Sequence, residues 1–153
     1  MTPSRRSRFE PSRLPIDPVL SDYVAAGELA QEIGERATPY SRPVDGILFR
    51  EGDPPTKLYL LRKGKVTLTM HSADREVMRV RAGAGSLIGL PAVVSNEPYS
   101  LTATASTDAE ILQIGPEEFC RLVESRPGLC VEALKILAAE IRSVRKALAD
   151  FLS

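Results

Sequence analysis

The residues best placed to do chemistry gather between 85 and 105, in the run GSLIGLPAVVSNEPYSLTATA. The run reads as a strand over 86–88, a tight turn at Gly89, a stub of helix opening at Pro91, a polar loop, and a strand of alternating residues. A glycine turn feeding a helix start presents free backbone N–H groups and the positive end of the helix dipole. Both suit an anion such as a phosphate. Proline costs little at the first helical position, because that amide has no intrahelical partner. Tyr99, Ser100 and Thr102 add hydroxyl groups beside the turn.

The other reactive side chains are few. His71 is the only histidine, and Cys120 and Cys130 are the only cysteines. A zinc or iron–sulfur centre needs three or four ligands, which this set does not supply on separate elements, so no metal and no cofactor is assigned. His71 shares a strand face with Thr67 and Thr69, opposite Val66, Leu68 and Met70, and is expected to face solvent. Ser95, Ser100 and Cys120 have no histidine to activate them. With no catalytic constellation visible, the sequence does not read as an enzyme.

The elements that must position the 85–105 stretch follow from pattern. A chain of 153 residues can form one domain with a substantial core. Twenty basic and twenty acidic residues cancel, which gives no general pull towards nucleic acid or an anionic membrane. No apolar run approaches the ~18 residues of a membrane span. Residues 1–17 carry Arg5, Arg6, Arg8 and Arg13 among Pro and Ser, and read as a disordered basic leader. They lack the apolar core of a secretory signal, so the expected location is the cytoplasm. Asp17 and Pro18 resemble an N-cap and first helical residue. The pattern stays helical to about Arg36, with Gly27 and Gly34 expected to divide it into two short helices.

From Thr38 to Ile114, short runs of β-branched and aliphatic residues alternate with turn signals such as Asp45-Gly46, Lys63-Gly64-Lys65 and Ser72-Ala73-Asp74. Seven or eight strands at this spacing predict an antiparallel sandwich or barrel. At Gly115-Pro116 the helical period returns, first as a short helix to about Glu124. Residues 127–153 then form one long helix, about 35 Å at 1.5 Å per residue. Leu134, Leu137, Ile141, Val144, Leu148 and Phe151 are spaced 3, 4, 3, 4, 3, which is an a/d seam. Glu140 falls at g and Arg145 at the following e, where a parallel partner helix would pair them. A homodimer through this helix is therefore expected. The competing arrangement lays the helix on its own β-domain through Ile136 and the alanines.

With these residues placed, the chain resembles the cyclic-nucleotide-binding domain of the CRP/FNR-type regulators from about Val19 to Phe151. The resemblance is carried by Gly46-Ile47-Leu48-Phe49-Arg50-Glu51-Gly52-Asp53, Leu58-Tyr59-Leu60-Leu61, Gly64-Lys65-Val66, Gly83-Ala84-Gly85 and the run described above. It implies a mainly β fold with flanking helices. Residues 18–126 would form a jelly-roll-like, eight-stranded β-roll with N-terminal helices, and the long C-terminal helix would dimerise. Glycines 46, 52, 64, 85 and 89 would occupy turns needing positive φ. The regulators continue into a winged helix-turn-helix that reads DNA. This sequence ends at Ser153, before such a segment, and with zero net charge and no recognition helix no direct DNA binding is expected of it. The expectation is either action through an effector protein or a fragment or relative that has lost the effector.

The family's cassette resembles Gly-Glu-Leu/Ile-Ala followed by Arg-Ser/Thr-Ala. There the glutamate holds the ribose hydroxyl, while the arginine and helix-start amides hold the cyclic phosphate. Laid on this sequence, Gly89 takes the glycine, Leu90 the glutamate, and Pro91 and Ala92 the next two places. Tyr99 falls on the arginine, Ser100 on the hydroxyl residue and Leu101 on the alanine, with Thr102 following. Both charged contacts are missing. At ~1.5–3 kcal/mol each, their loss predicts cyclic nucleotide binding weakened by roughly 10² to 10⁴. Arg79 and Arg81 are not expected to substitute, because inward Met78 and Val80 turn them to solvent. The resulting expectation is a dimeric sensory module whose β-roll takes a small ligand other than cAMP or cGMP. A ligand-free structural module and a true cyclic nucleotide receptor using substitute residues remain the alternatives.

Overall fold

The computed structural model describes residues 27–152. The basic leader and the Asp17-Pro18 helix start lie outside the described residues, as does the side chain of Phe151. The first element, α1 (Gly27–Arg36), runs unbroken through Gly34, which was expected to interrupt it. A glycine inside a helix costs about 1 kcal/mol relative to alanine. Here Leu29 and Ile33, both fully buried, hold the helix against the domain. Gly34 lies where α1 approaches the sheet: a Cβ there would sit 3.9 Å from Leu112 Cδ1.

Eight strands follow: β1 (Thr38–Arg42), β2 (Ile47–Phe49), β3 (Leu58–Lys63), β4 (Val66–Ser72), β5 (Arg75–Ala82), β6 (Leu87–Ile88), β7 (Thr102–Ala105) and β8 (Ala109–Ile114). They form two four-stranded antiparallel sheets in the orders β1-β8-β3-β6 and β2-β7-β4-β5. This is the jelly-roll alternation between two sheets, without closure into a barrel. A short helix, α2 (Leu90–Ser95), joins β6 to β7, and α3 (Pro116–Ser125) and α4 (Pro127–Leu152) follow β8.

Strand periodicity explains the two cores. In β3, Tyr59 and Leu61 point into the roll, while Leu58 and Leu60 point out beneath the helices. Strand β3 is thus buried on both faces, which is why Leu58–Leu61 reads as a continuous apolar run. In β4, Val66 and Leu68 line the roll interior. His71 at the far end is exposed, with Nδ1 3.1 Å from Glu51 Oε1. In β5, Met78 and Val80 are buried and Arg79 is exposed, paired with Glu76 at 2.7 Å.

The turn glycines are not all alike. Gly52, Gly64, Gly85 and Gly89 have positive φ, but Gly46 does not; its neighbour Asp45 takes the left-handed conformation, at φ 70°. Space requires glycine at 46 instead, because a Cβ there would meet the Pro43 carbonyl oxygen at 2.9 Å.

Helix α4 does two things at once. Leu129, Ala133 and Ile136 are buried in the helix-side core, and farther along Val144 and Ala147 pack against the roll interior. The opposite side leaves Val131, Leu134 and Ile141 about half exposed. The Glu132 carboxylate accepts the Leu29 amide at 3.1 Å, and Arg126 pairs with Glu28 and Glu32, so the start of α4 is fastened to α1.

A small pocket between the Gly89 turn and helix α4

Strand β6 ends at Ile88, and Gly89 turns the chain with φ 95° and ψ 7°. A side chain is excluded there on two counts. The backbone is left-handed, and a Cβ would stand 3.2 Å from Tyr99 Cε1 and 3.5 Å from the Lys57 carbonyl oxygen. Helix α2 opens at Leu90, one residue earlier than expected, so Pro91 is its second residue. That amide also lacks an intrahelical acceptor, so the proline is still tolerated. The one-residue difference matters for orientation. Leu90 is fully buried among Leu29, Ile33 and Phe119 in the helix-side core, and does not line the pocket.

Tyr99, which the sequence lays on the family's arginine, is locked from four directions. Its ring stacks on Phe49 with centroids 3.8 Å apart and planes 12° from parallel. Its hydroxyl donates to the Lys57 carbonyl and accepts the Lys57 amide at 3.1 Å. Its own amide donates to the Asp53 carbonyl at 3.0 Å, and its carbonyl accepts the Gly52 amide at 2.8 Å. Burial pushes the phenol upward in pKa, so it stays protonated. Its only O–H is already committed to Lys57. Thr102 is similarly engaged, its Oγ1 accepting the Glu51 amide at 3.0 Å.

Gly89, Pro91, Ala92, Tyr99, Ser100 and Leu101 meet around one cavity, together with Phe49, Leu68 and Glu140. The free space is about 20 Å³, enough for about one water molecule. Among the described residues no lysine or arginine lines it. Glu140 therefore needs its position corrected. It does not sit on an outward face where Arg145 of a second helix could reach it. It is 6% exposed and closes the back of the pocket. Among the described residues nothing pairs with its carboxyl, and burial lifts its pKa from the ordinary 4.5 to about 8.

The remaining seam positions divide. Leu134 and Ile141 are exposed, Arg145 is exposed, Leu137 and Leu148 are half-buried, and Val144 is half-buried against the roll. Phe49, Leu68 and Glu140 were not anticipated as pocket residues. For Glu140 a signal was present: Ala133, Ile136, Glu140, Ser143 and Ala147 recur at the spacing of one helical face, and all five are buried or half-buried. A carboxylate on such a face has to be facing something other than solvent.

Among the described residues no group of three His, Cys, Asp or Glu side chains could hold a metal ion, and no helix is long and apolar enough to cross a membrane. The Cyclic nucleotide-binding domain family matches residues 43–126. The CRP-like cAMP-activated global transcriptional regulator of Mycobacterium tuberculosis is 25% identical over 115 residues, covering 74% of this chain and 51% of that protein. The chain thus spans about half the length of such curated relatives. Among solved structures, the catabolite activator protein of Thermus thermophilus is similar with a TM-score of 0.70 at 26% identity, over 81% of this chain and 59% of that one. The N-terminal domain of a transcriptional regulator from Streptomyces coelicolor A3(2) gives 0.61 at 28% identity, over 89% and 94%. The family match takes in more than half of the sequence, and the two-sheet roll carries its fold, so this chain belongs to the cyclic nucleotide-binding domain family.

Proposed function

We propose that the chain is a ligand-sensing regulatory module whose pocket behind Gly89 has given up ordinary cyclic nucleotides for another small ligand. The observation that carries this reading is Tyr99. A stacked, four-way anchored phenol stands where the phosphate-holding arginine is expected, and among the described residues no cationic side chain lines the cavity. A buried phosphate without a cationic partner loses its strongest hydrogen bonds and retains the cost of leaving water. Calorimetry with cAMP and cGMP is expected to show no binding tighter than the high-micromolar range. A low-micromolar Kd for either nucleotide would overturn the reading.

Helix α4 is the output element. Leu134 and Ile141 stay exposed on a helix whose other face is anchored to the roll, which suits pairing with a second copy. Sedimentation at high micromolar concentration is expected to give a dimer. Leu134→Glu combined with Ile141→Glu should shift it to monomer without unfolding the chain, since both sites are about half exposed. A wild-type monomer at that concentration refutes the helix-pairing reading. In this scheme an effector protein reads the arrangement of the paired helices. The near-filled cavity favours a second reading, a structural pairing module that takes no ligand. Thermal shift against a metabolite panel separates the two, because a ligand at 100 times its Kd adds about 2.7 kcal/mol.

A further inference from the structure

We propose that Glu140 makes the pocket behind Gly89 a site for a small cationic nitrogen compound of the amidinium or primary ammonium class. The inference rests on the reading of this cavity as the ligand site, and adds the chemistry that the ligand must carry. Among the described residues Glu140 is the only acidic or basic side chain on the wall. The one other titratable group facing it is the Tyr99 phenol, whose hydroxyl is engaged with Lys57. The elements around it contribute Phe49 and Leu68 from the two strands, Pro91 and Ala92 from α2, and Leu101 from the loop before β7. β5, which also packs against α4, turns Met78 and Val80 inward and pairs its Arg79 with Glu76, so among the described lining residues none but Glu140 brings a charge.

A carboxyl held in apolar surroundings without a partner stays protonated through neutral pH, which is the state its raised pKa describes. An amidinium reverses that state. It presents two parallel N–H donors to the two carboxylate oxygens and supplies the missing counter-charge. Binding then releases the Glu140 proton to solvent. An anion gains nothing here, since it would meet a carboxyl and no cation.

The space available adds a consequence for signalling. About 20 Å³ holds little more than a water, and Phe49 and Tyr99 are stacked in place. Entry of a larger group therefore has to move a wall, and α4 is the one that carries Glu140. Glu140 and Ile141 are consecutive on that helix, one 6% exposed and the other 50%. A ligand that shifts α4 through the first carries the second with it, on the face proposed to pair.

The test titrates the full chain with an isosteric set of acetamidinium chloride, acetamide and sodium acetate. Backbone amide NMR shifts near Gly89, Ser100 and Glu140 report binding. Acetamidinium is expected to bind saturably, with affinity rising about tenfold per pH unit below the range in which Glu140 ionises. Acetamide and acetate are expected to bind at least about tenfold more weakly (about 1.4 kcal/mol). Glu140→Gln keeps the shape of the neutral acid and should abolish both the preference and its pH dependence. The proposal is overturned by no saturable acetamidinium binding, by equal binding of acetamide at alkaline pH, or by a preference that survives in E140Q. A parallel cAMP titration keeps the two readings apart. Micromolar cAMP binding defeats the site reading itself, whereas failure of acetamidinium with cAMP also silent defeats only the assignment of Glu140.

Discussion

Glu140→Gln is expected to stabilise the protein strongly at neutral and alkaline pH and to leave its stability almost unchanged in acid. The carboxyl titrates near the ordinary 4.5 in the unfolded chain and near about 8 in the native state. Between those values the unfolded chain has lost the proton and the folded one keeps it. Native stability therefore falls as pH rises through that window. Below it both states are protonated, and above it both are ionised, so the deficit levels off. At about 1.4 kcal/mol per pKa unit, the full effect is roughly 3–5 kcal/mol, most of it present by neutral pH. Glutamine imitates the neutral acid in size and hydrogen-bonding capacity but cannot ionise, so the variant should escape the deficit. Urea unfolding of both proteins between mild acid and mild alkali measures the difference directly. Parallel stability curves would mean that Glu140 is solvated or paired in solution, and the electrostatic account of the pocket would fail. A group that costs this much stability resembles a binding residue held without its partner, since natural chains retain such strain mainly at functional sites.

Tyr99→Ala is expected to cost roughly 3–5 kcal/mol, the range for deleting a large aromatic side chain from a core. The 3.8 Å stack on Phe49 is lost, and the Lys57 amide and carbonyl lose their shared hydroxyl partner. Tyr99→Phe separates these effects. It keeps the stack and removes only the hydroxyl, so about 1–2 kcal/mol should go, the cost of leaving partly buried polar groups unpaired. Chemical denaturation of the pair gives both numbers. If alanine at 99 costs less than the phenylalanine variant, Tyr99 is not the wedge that fills the site, and the case against cyclic nucleotides loses its support. The variants also ask whether space alone excludes a nucleotide. Emptying the wedge adds volume but no cation, so cAMP binding should not return in Tyr99→Ala.

Much of the roll was readable before any coordinates. The alternation in Val66–Met70 and the turn signals around Gly64 and Ala73 are local features, and local features decide whether a run becomes a strand and where it reverses. The start of α3 was equally plain, because Gly115-Pro116-Glu117-Glu118 carries its own helix-start chemistry. Even the Gly89 turn could be placed from a glycine between an apolar strand and a proline-led helix start, and the structure gives it a left-handed backbone beside the Tyr99 ring.

What the linear pattern left open was which way each helix turns. In α4 the seam Leu134–Leu137–Ile141–Val144–Leu148 and the stripe Ala133–Ile136–Glu140–Ser143–Ala147 lie on overlapping arcs of one cylinder. Periodicity shows that a face is covered, not by what. Only the docked roll draws Glu140 inward and leaves Ile141 out. The same holds at the cassette. Leu90 opens α2 and is turned away from the Gly89 pocket into the core beneath the helices. The amino-acid order thus determined the strands, the turns and the family, all set by neighbours a few residues apart. The assembled sheets and helices decided the chemistry of the pocket, because Glu140, its one carboxylic acid among the described residues, comes from a helix some fifty residues downstream of the turn it faces.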